Sequence, residues 1–428
     1  MSERPANELS ASAAAAQIRA GTLTSEALVR ACLERIAARE PSVGAWEHLD
    51  ADRAIAAAQS ADRAPSPGAL HGVPVGVKDI IDTVDMPTCL GSPIYAGRRP
   101  GWDAACVAAI RAAGGIVLGK TVTTEFAYFQ PGKTRNPHGL DYTPGGSSSG
   151  SAAAVADAMV PIALGSQTAG SVIRPATYCG VYGYKASFGD FSLSGIRPFA
   201  ESLDTLGGLA RDVGDLALLR SVLTGAPVRG VDGGRAPAAI GWCRTPQWEL
   251  TEQCVRDALI ASVAAIARSG VPVREVTLPP NFTALVGAQI AINSFEAARN
   301  YRHEMVHHAD RLSERLRALI EQGTNTPHAA YVDAKRRVAE AMRDLPGILA
   351  DCPVILVPAA LGEAPLAKTG TGDPVMSRIW TALHVPCLAV PFTTGPRGLP
   401  VGVQLIAAEG DDDALLEVGS WVGDVIAR

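Results

Sequence analysis

The sequence is short of the features that mark several protein classes. Its eight cysteines, Cys32, Cys89, Cys106, Cys179, Cys243, Cys254, Cys352 and Cys387, are scattered along 428 residues, and none stands in a C-x-x-C pair. That argues against a disulfide framework or a zinc–thiolate site, and for a reducing compartment. Charged residues make up only 19%, and the formal charge is −5. Wholesale disorder does not fit this composition, and neither does the basic footprint of a protein that binds nucleic acid or anionic membrane. No stretch of about 18 apolar residues is present to span a membrane. The least charged region, 158–173, is broken by Pro161, Gly165 and Gly170. The first residues, MSERPANELSASAAAAQIRAG, carry early charges and no apolar core of signal-peptide type. The expectation is a soluble, cytoplasmic protein with no nucleic-acid or membrane partner.

What is abundant is apolar surface and punctuation. Hydrophobic residues reach 47%, enough for a large core, and 43 glycines and 30 prolines imply many tight turns. At roughly 150 residues per domain, the length allows about three domains or one large one. A helix is expected over 24–39, with Thr24 as N-cap and Leu28, Cys32 and Ile36 at i, i+4, i+8. LHGVPVGVKDII, 70–81, reads as a strand leaving a turn, 103–113 as a helix, and GGIVLGK as a turn and strand. A helix over 152–158 and a strand over 160–164 continue this alternation. From about 225 to 350 helical patterns dominate, at 252–269, 285–312, 312–322 and 329–343, and strands return at 354–358 and 400–406. The whole reads as one α/β domain, 1–428, in which a mixed central sheet is covered by helices on both faces. The 225–350 stretch forms a helical cover, and the late strands pair back into the first sheet.

The most unusual local chemistry is TPGGSSSGS, 143–151, ahead of the helix-like AAAVADAM. Four readings compete. It serves as a flexible loop whose Ser151 caps a helix. It serves as a phosphate cradle at a helix N-terminus, although the P-loop lysine is absent after Gly150. It formally matches G-x-S-x-G, with Ser148 as nucleophile and His384 as a partner, but Thr143-Pro144-Gly145 is a poor strand end. The fourth reading joins it to two other places, HGVPVGVKD (71–79) and GSQTAGSVIRPATYCG (165–180).

Those three motifs, in that order and with 24 residues from Ser147 to Ser171, resemble the amidase signature family. IIDTVDMPTCLGSPIY, SLDTLGGLARDV and GDPVMSRIWTALHVPCLAVP extend the resemblance over most of the chain, and its flavour is that of the malonamidase-like branch. The resemblance implies the amidase signature fold and a Ser–cis-Ser–Lys triad. Ser171 would be the nucleophile, Ser147, after a cis Gly146–Ser147 bond, the relay, and Lys78 the base. The residues make chemical sense in those roles. A serine hydroxyl needs a base, and a lysine is one only when neutral, which burial without a paired carboxylate achieves. Lys78 lies among Val73, Val75, Val77, Ile80 and Ile81, and Asp79 must point elsewhere. Taken alone, Lys78 would read as an exposed lysine at a strand end. The oxyanion hole would be backbone N–H groups of Thr168, Ala169, Gly170 and Ser171, with no metal or cofactor. Many family members have Asp-x-Gly-Gly-Ser where this chain has Gln167-Thr168-Ala169-Gly170-Ser171. The missing acid argues against the amidotransferase subunit that acts on charged transfer RNA.

The implied activity is hydrolysis of a small-molecule carboxamide through an acyl-enzyme, and relatives suggest a homodimer. Arg174, three residues after Ser171, matches the arginine that holds a substrate carboxylate in malonamidase-like relatives, which suggests an acidic amide such as malonamate. It reads equally as a structural ion-pairing residue. Tyr128, Phe129 and Asn293 are further pocket candidates, and the aromatics would also suit the core or an aryl-amide pocket. Two readings of other classes stand beside this one. His303-Glu304-Met305-Val306-His307 matches the zinc-hydrolase motif H-E-x-x-H, although no third ligand follows. An amidase-like, non-catalytic binding subunit is the other.

Overall fold

The computed structural model describes residues 5–64, 68–227, 230–231 and 233–428, so the first four residues of the charged N-terminal stretch lie outside it. Eleven strands form one mixed sheet. They are β1 (Trp46–Leu49), β2 (Pro74–Lys78), β3 (Ile116–Thr121), β4 (Ile162–Gln167), β5 (Tyr182–Lys185), β6 (Thr205–Ala210), β7 (Ile240–Trp242), β8 (Val273–Glu275), β9 (Val354–Pro358), β10 (Cys387–Thr394) and β11 (Pro400–Ala407). Their order is β1-β3-β2-β4-β6-β5-β10-β11-β9-β7-β8. β2 runs parallel to both neighbours, β3 and β4. All five of its residues and all six of β4 are buried, as expected of strands covered on both faces. The register sets Val77 opposite Leu164, so the strand ends carrying Lys78 and Ser166 emerge side by side.

Helices cover the sheet. Ser25–Val43 starts at Thr24, whose side chain accepts from the Ala27 N–H, and stops at Gly44, which takes the left-handed conformation (φ 63°). Ser149–Ala156 is buried along nearly its whole length. Its Gly150 lies so close to the Ala45 carbonyl that a Cβ would sit 2.2 Å away. Ser151 is inside this helix rather than at its cap, bonding the Thr121 hydroxyl and the Leu164 carbonyl.

The 225–350 region departs from the helical cover expected of it, because it also supplies β7 and β8, which extend the sheet beyond β9. The helix expected over 285–312 is two, Leu285–Asn300 and Arg302–His307. The break falls at Tyr301, which is fully buried. Its ring contacts Phe126 and Phe199, and its hydroxyl donates to the Pro198 carbonyl. The late strands do join the first sheet, β10 pairing with β5. Among the described residues, no helix is long and apolar enough to cross a membrane.

Candidate active site

β2 delivers Lys78. Its Nζ lies 2.6 Å from Ser147 Oγ and 2.9 Å from Ser166 Oγ. The side chain is fully buried, and desolvation holds its pKa well below the ordinary lysine value, opposed only by the charge of Asp204. Asp204 does not pair with the amine. It accepts from the Thr168 hydroxyl (2.6 Å) and from the N–H groups of Phe199 (2.7 Å) and Ala200 (3.0 Å), and burial pushes it up to about 7. Asp79, next along the chain, turns away from Ser147. It accepts from the Cys89 N–H at 3.1 Å and faces Lys120 at 3.7 Å. Burial moves that pair toward neutrality, Asp79 up to about 6 and Lys120 down to about 8. The carboxylate adjacent in sequence is thereby occupied elsewhere, and Lys78 keeps an amine that can accept a proton.

The glycine-serine segment brings in Ser147. The Gly146–Ser147 peptide bond is cis, and the Gly146 carbonyl accepts from Arg174 Nη2 at 2.7 Å. Gly145 has φ 80°, and a Cβ there would lie 2.8 Å from Pro175 Cα. Ser148 is excluded from the site. Fully buried, its Oγ takes the Ser166 N–H and faces the Ser166 carbonyl. His384, its partner in the G-x-S-x-G reading, is bonded to the Ser202 carbonyl and stacked on Phe188. The nucleophile-elbow reading fails on both residues.

Ser171 stands just before the helix Ile173–Tyr178 and lines a small cavity together with Ser147. The turn from β4 into that helix is held by side chains. Gln167 Oε1 accepts from the N–H groups of Val172 (2.9 Å) and Ile173 (3.1 Å), and its Nε2 donates to Thr381. Gln289 Nε2 donates to the Thr168 carbonyl at 3.0 Å, and the Thr381 hydroxyl to the Ala169 carbonyl at 2.7 Å. With their carbonyls engaged on one side, the N–H groups of Ala169, Gly170 and Ser171 donate to no protein acceptor among the described residues. Thr168, Ala169 and Ser171 line the cavity, and Gly170 sits where a Cβ would meet Pro374 at 2.8 Å. This arrangement suits donation to a developing oxyanion.

The remaining walls contain every predicted contact residue. Arg174, Tyr128, Phe129 and Asn293 all line the cavity. Arg174 is buried without an ion pair among the described residues. Nη2 braces Gly146 and lies 3.3 Å from Thr371 Oγ1, its guanidinium lies 5.6 Å from the Phe129 ring centre, and Nε and Nη1 have no partner among the described residues. Burial lowers its pKa to about 10. Asn293 Oδ1 is likewise buried and unpartnered. Sequence reasoning missed Ser166, Gln289, Thr381, Phe199 and Arg378. Gln289 carried the one usable signal, since it precedes Asn293 by four residues and shares its helix face.

His303, Glu304 and His307 do not converge. The histidines are exposed with ring centres 4.7 Å apart, whereas Glu304 is fully buried beneath them, bonded to Tyr95 Oη (2.6 Å) and Arg197 Nη2 (2.7 Å). A glutamate committed to a buried ion pair cannot serve water on the opposite face of the helix.

The fold and cavity define an α/β enzyme built around a buried lysine–serine pair rather than a metal-ligand set. The Amidase family model matches residues 27–416, and the chain belongs to that family, whose members hydrolyse amide bonds. It is 34% identical to a subunit of the glutamyl-tRNA(Gln) amidotransferase of Chloroflexus aggregans, over 96% of this chain and 95% of that one. The corresponding amidotransferase chain of Anaeromyxobacter sp. is also 34% identical, over 94% and 93% of the two chains. Among solved structures, it is similar to a chain from a vestigial protein complex tied to the evolutionary origins of an s-triazine catabolic enzyme, with TM-score 0.91, 26% identity and 98% and 99% coverage. The native peptide amidase of Stenotrophomonas maltophilia follows, with TM-score 0.86, 28% identity and 99% and 98% coverage.

Proposed function

We propose that this amide hydrolase acts on a small carboxamide bearing an acid, malonamate being the simplest example, with Ser171 as nucleophile, Ser147 as relay and Lys78 as base. The observation that carries the reading is the fully buried Lys78 amine, 2.6 Å from Ser147 Oγ, with the neighbouring carboxylate turned away. Ser171 Oγ attacks the amide carbon as its proton passes to Ser147 and that of Ser147 to Lys78. The oxyanion takes N–H donors from the 168–171 loop. Collapse breaks the C–N bond, and the proton returns through Ser147 to the departing ammonia or amine. Water then repeats the relay and releases the acid. The unpartnered Nε and Nη1 of a buried Arg174 that has no counter-ion among the described residues support a substrate carboxylate, received by single N–H donors because Nη2 is already bound to the Gly146 carbonyl. The same reading sets the enzyme in the cytoplasm and, following relatives, as a homodimer, which light scattering on the purified chain reads directly.

The names of the amidotransferase relatives favour a second reading, glutamine cleavage in support of transfer-RNA amidation. The sequence argument against it weakens with Gln167, because that side chain anchors the N–H groups of a helix start rather than facing the cavity. What disfavours it is charge. Among the described residues, no carboxylate lines the cavity to receive the α-ammonium of glutamine. The test is ammonia release from malonamate, glutamine, and neutral aliphatic and aryl amides by wild type, Ser171→Ala and Arg174→Ala. Loss of release in Ser171→Ala, with a selective loss on malonamate in Arg174→Ala, is expected. Full activity in Ser171→Ala overturns the nucleophile, and cleavage of neutral amides alone overturns the acidic substrate.

A further inference from the structure

Two guanidinium groups line the cavity, Arg174 and Arg378, and among the described residues no aspartate or glutamate does. Arg378 lies on the helix Val375–Ala382 and also borders an outer cleft whose charged lining includes Arg315, Glu252, Glu363 and Asp373. Phe129, Thr371 and Pro374 are common to both spaces, so Arg378 stands where one opens into the other. Its Nη1 donates to Gln289 Oε1, and Gln289 in turn donates to the Thr168 carbonyl. Asp373, whose charge acts on both arginines, is exposed and takes the Val375 N–H at 2.9 Å. Desolvation lowers the pKa of Arg378 as it does that of Arg174.

We infer that Arg378 is a second anion-binding residue, so that the substrate is an amide with two acidic groups, one held at Arg174 inside the cavity and one at Arg378 at its mouth. The inference rests on the proposal that this cavity receives the acyl group. The physical reason is that the buried Arg174 has no ion pair, that Arg378, half-buried at the mouth, feels the charge of exposed Asp373 but makes no ion pair among the described residues, and that a cavity lined by both gains most from a dianion. One carboxylate bound at one arginine leaves the other as it was. Inside the cavity, an amino-acid amide brings an ammonium with no carboxylate on the described lining to meet it, the acids Glu252, Glu363 and Asp373 lying outside in the cleft. The bond to Gln289 holds the Arg378 guanidinium in a set plane and ties it to the loop that carries the N–H donors, so recognition at the mouth and oxyanion binding share one anchor.

The experiment is calorimetric titration of the purified chain with propionate, succinate, glutarate and aspartate, repeated on Arg378→Gln and Arg378→Lys, with thermal melts to check folding. In wild type the better of the two dicarboxylates binds at least tenfold more tightly than propionate, and aspartate more weakly than succinate. Arg378→Gln brings the dicarboxylate-to-propionate ratio to within about twofold, and Arg378→Lys keeps an intermediate value. Equal binding of mono- and dicarboxylates by wild type, or a ratio untouched in a folded Arg378→Gln, overturns the inference. If Arg378→Gln does not fold, the wild-type ratio and Arg378→Lys decide. The readout is binding, so failure of the chain to release ammonia from any amide would sink the proposed reaction while this ratio still judges Arg378.

Discussion

Replacing Lys78 by methionine and Lys120 by methionine should move stability in opposite directions, although both lysines are fully buried. Lys78 has no counter-ion among the described residues, and its pKa in the folded state is depressed. The unfolded chain therefore binds a proton that the folded chain refuses, which costs stability at every pH below the unfolded lysine value of about 10.4. Lys78→Met should melt higher than wild type at pH 7, the gap should narrow as pH rises toward 10, and amide hydrolysis should fall by at least about a thousandfold. Lys120 instead faces Asp79 and bonds Thr88, so Lys120→Met strands a buried carboxylate and should cost about 3 kcal/mol by chemical denaturation. Hydrolysis by wild type should fall on the acid side as pH drops through the depressed Lys78 value, since only the neutral amine accepts the proton that Ser147 passes on. In HGVPVGVKD alone, Lys78 reads as an exposed strand-end lysine, and its apolar neighbours point to a desolvated one only once the motif is joined to those around Ser147 and Ser171. What the string did not reveal is where Asp79 turns, because its partner Lys120 is 41 residues away on the next strand. Ser166 was missed for a related reason. It sits in the 165–180 motif, but no role is legible for it there, and only the register of β4 against β2 brings it to the amine.

The turn from β4 into the helix Ile173–Tyr178 is built from side-chain acceptors and donors contributed by other elements. Gln167→Ala removes the acceptor of two N–H groups and a donor to Thr381, and should cost about 1–2 kcal/mol, as loss of a helix cap does. Because Thr381 also anchors the Ala169 carbonyl, kcat should fall at least about tenfold while KM changes less, a split read from initial rates. Helix existence was readable from 3.6-residue spacing, and helix ends less so. The expected 285–312 helix breaks at Tyr301, where no glycine or proline warns of it, because a buried ring and its hydroxyl bond outweigh one more helical turn. β7 and β8, three residues each, are too short to display an alternation. Arg378, within VMSRIW, draws no reading from the sequence, since only tertiary packing turns it to the cavity.

For the whole molecule, the proposed mechanism draws every reacting group from side chains and backbone, so dialysis against EDTA should leave the hydrolysis rate within about twofold. His303→Ala with His307→Ala should do the same, whereas Glu304→Ala, which strands the partly buried Arg197, should destabilise the fold by about 3 kcal/mol in denaturant melts. The α/β class and the return of the late strands were legible from the rhythm of the chain. The strand order was not, since it depends on pairings between residues hundreds of positions apart. That order has a consequence during synthesis. β1 to β6 are complete once residue 210 is made, yet β5 meets its second neighbour, β10, only after residue 387. At roughly 5–20 residues per second, the nascent chain carries an unpaired edge for on the order of ten to thirty seconds. β7 and β8, made in that interval, have no seat until β9 arrives. A newborn chain of this protein therefore presents an open strand edge, and its yield in cells should respond to translation speed between residues 210 and 387 more than to speed elsewhere.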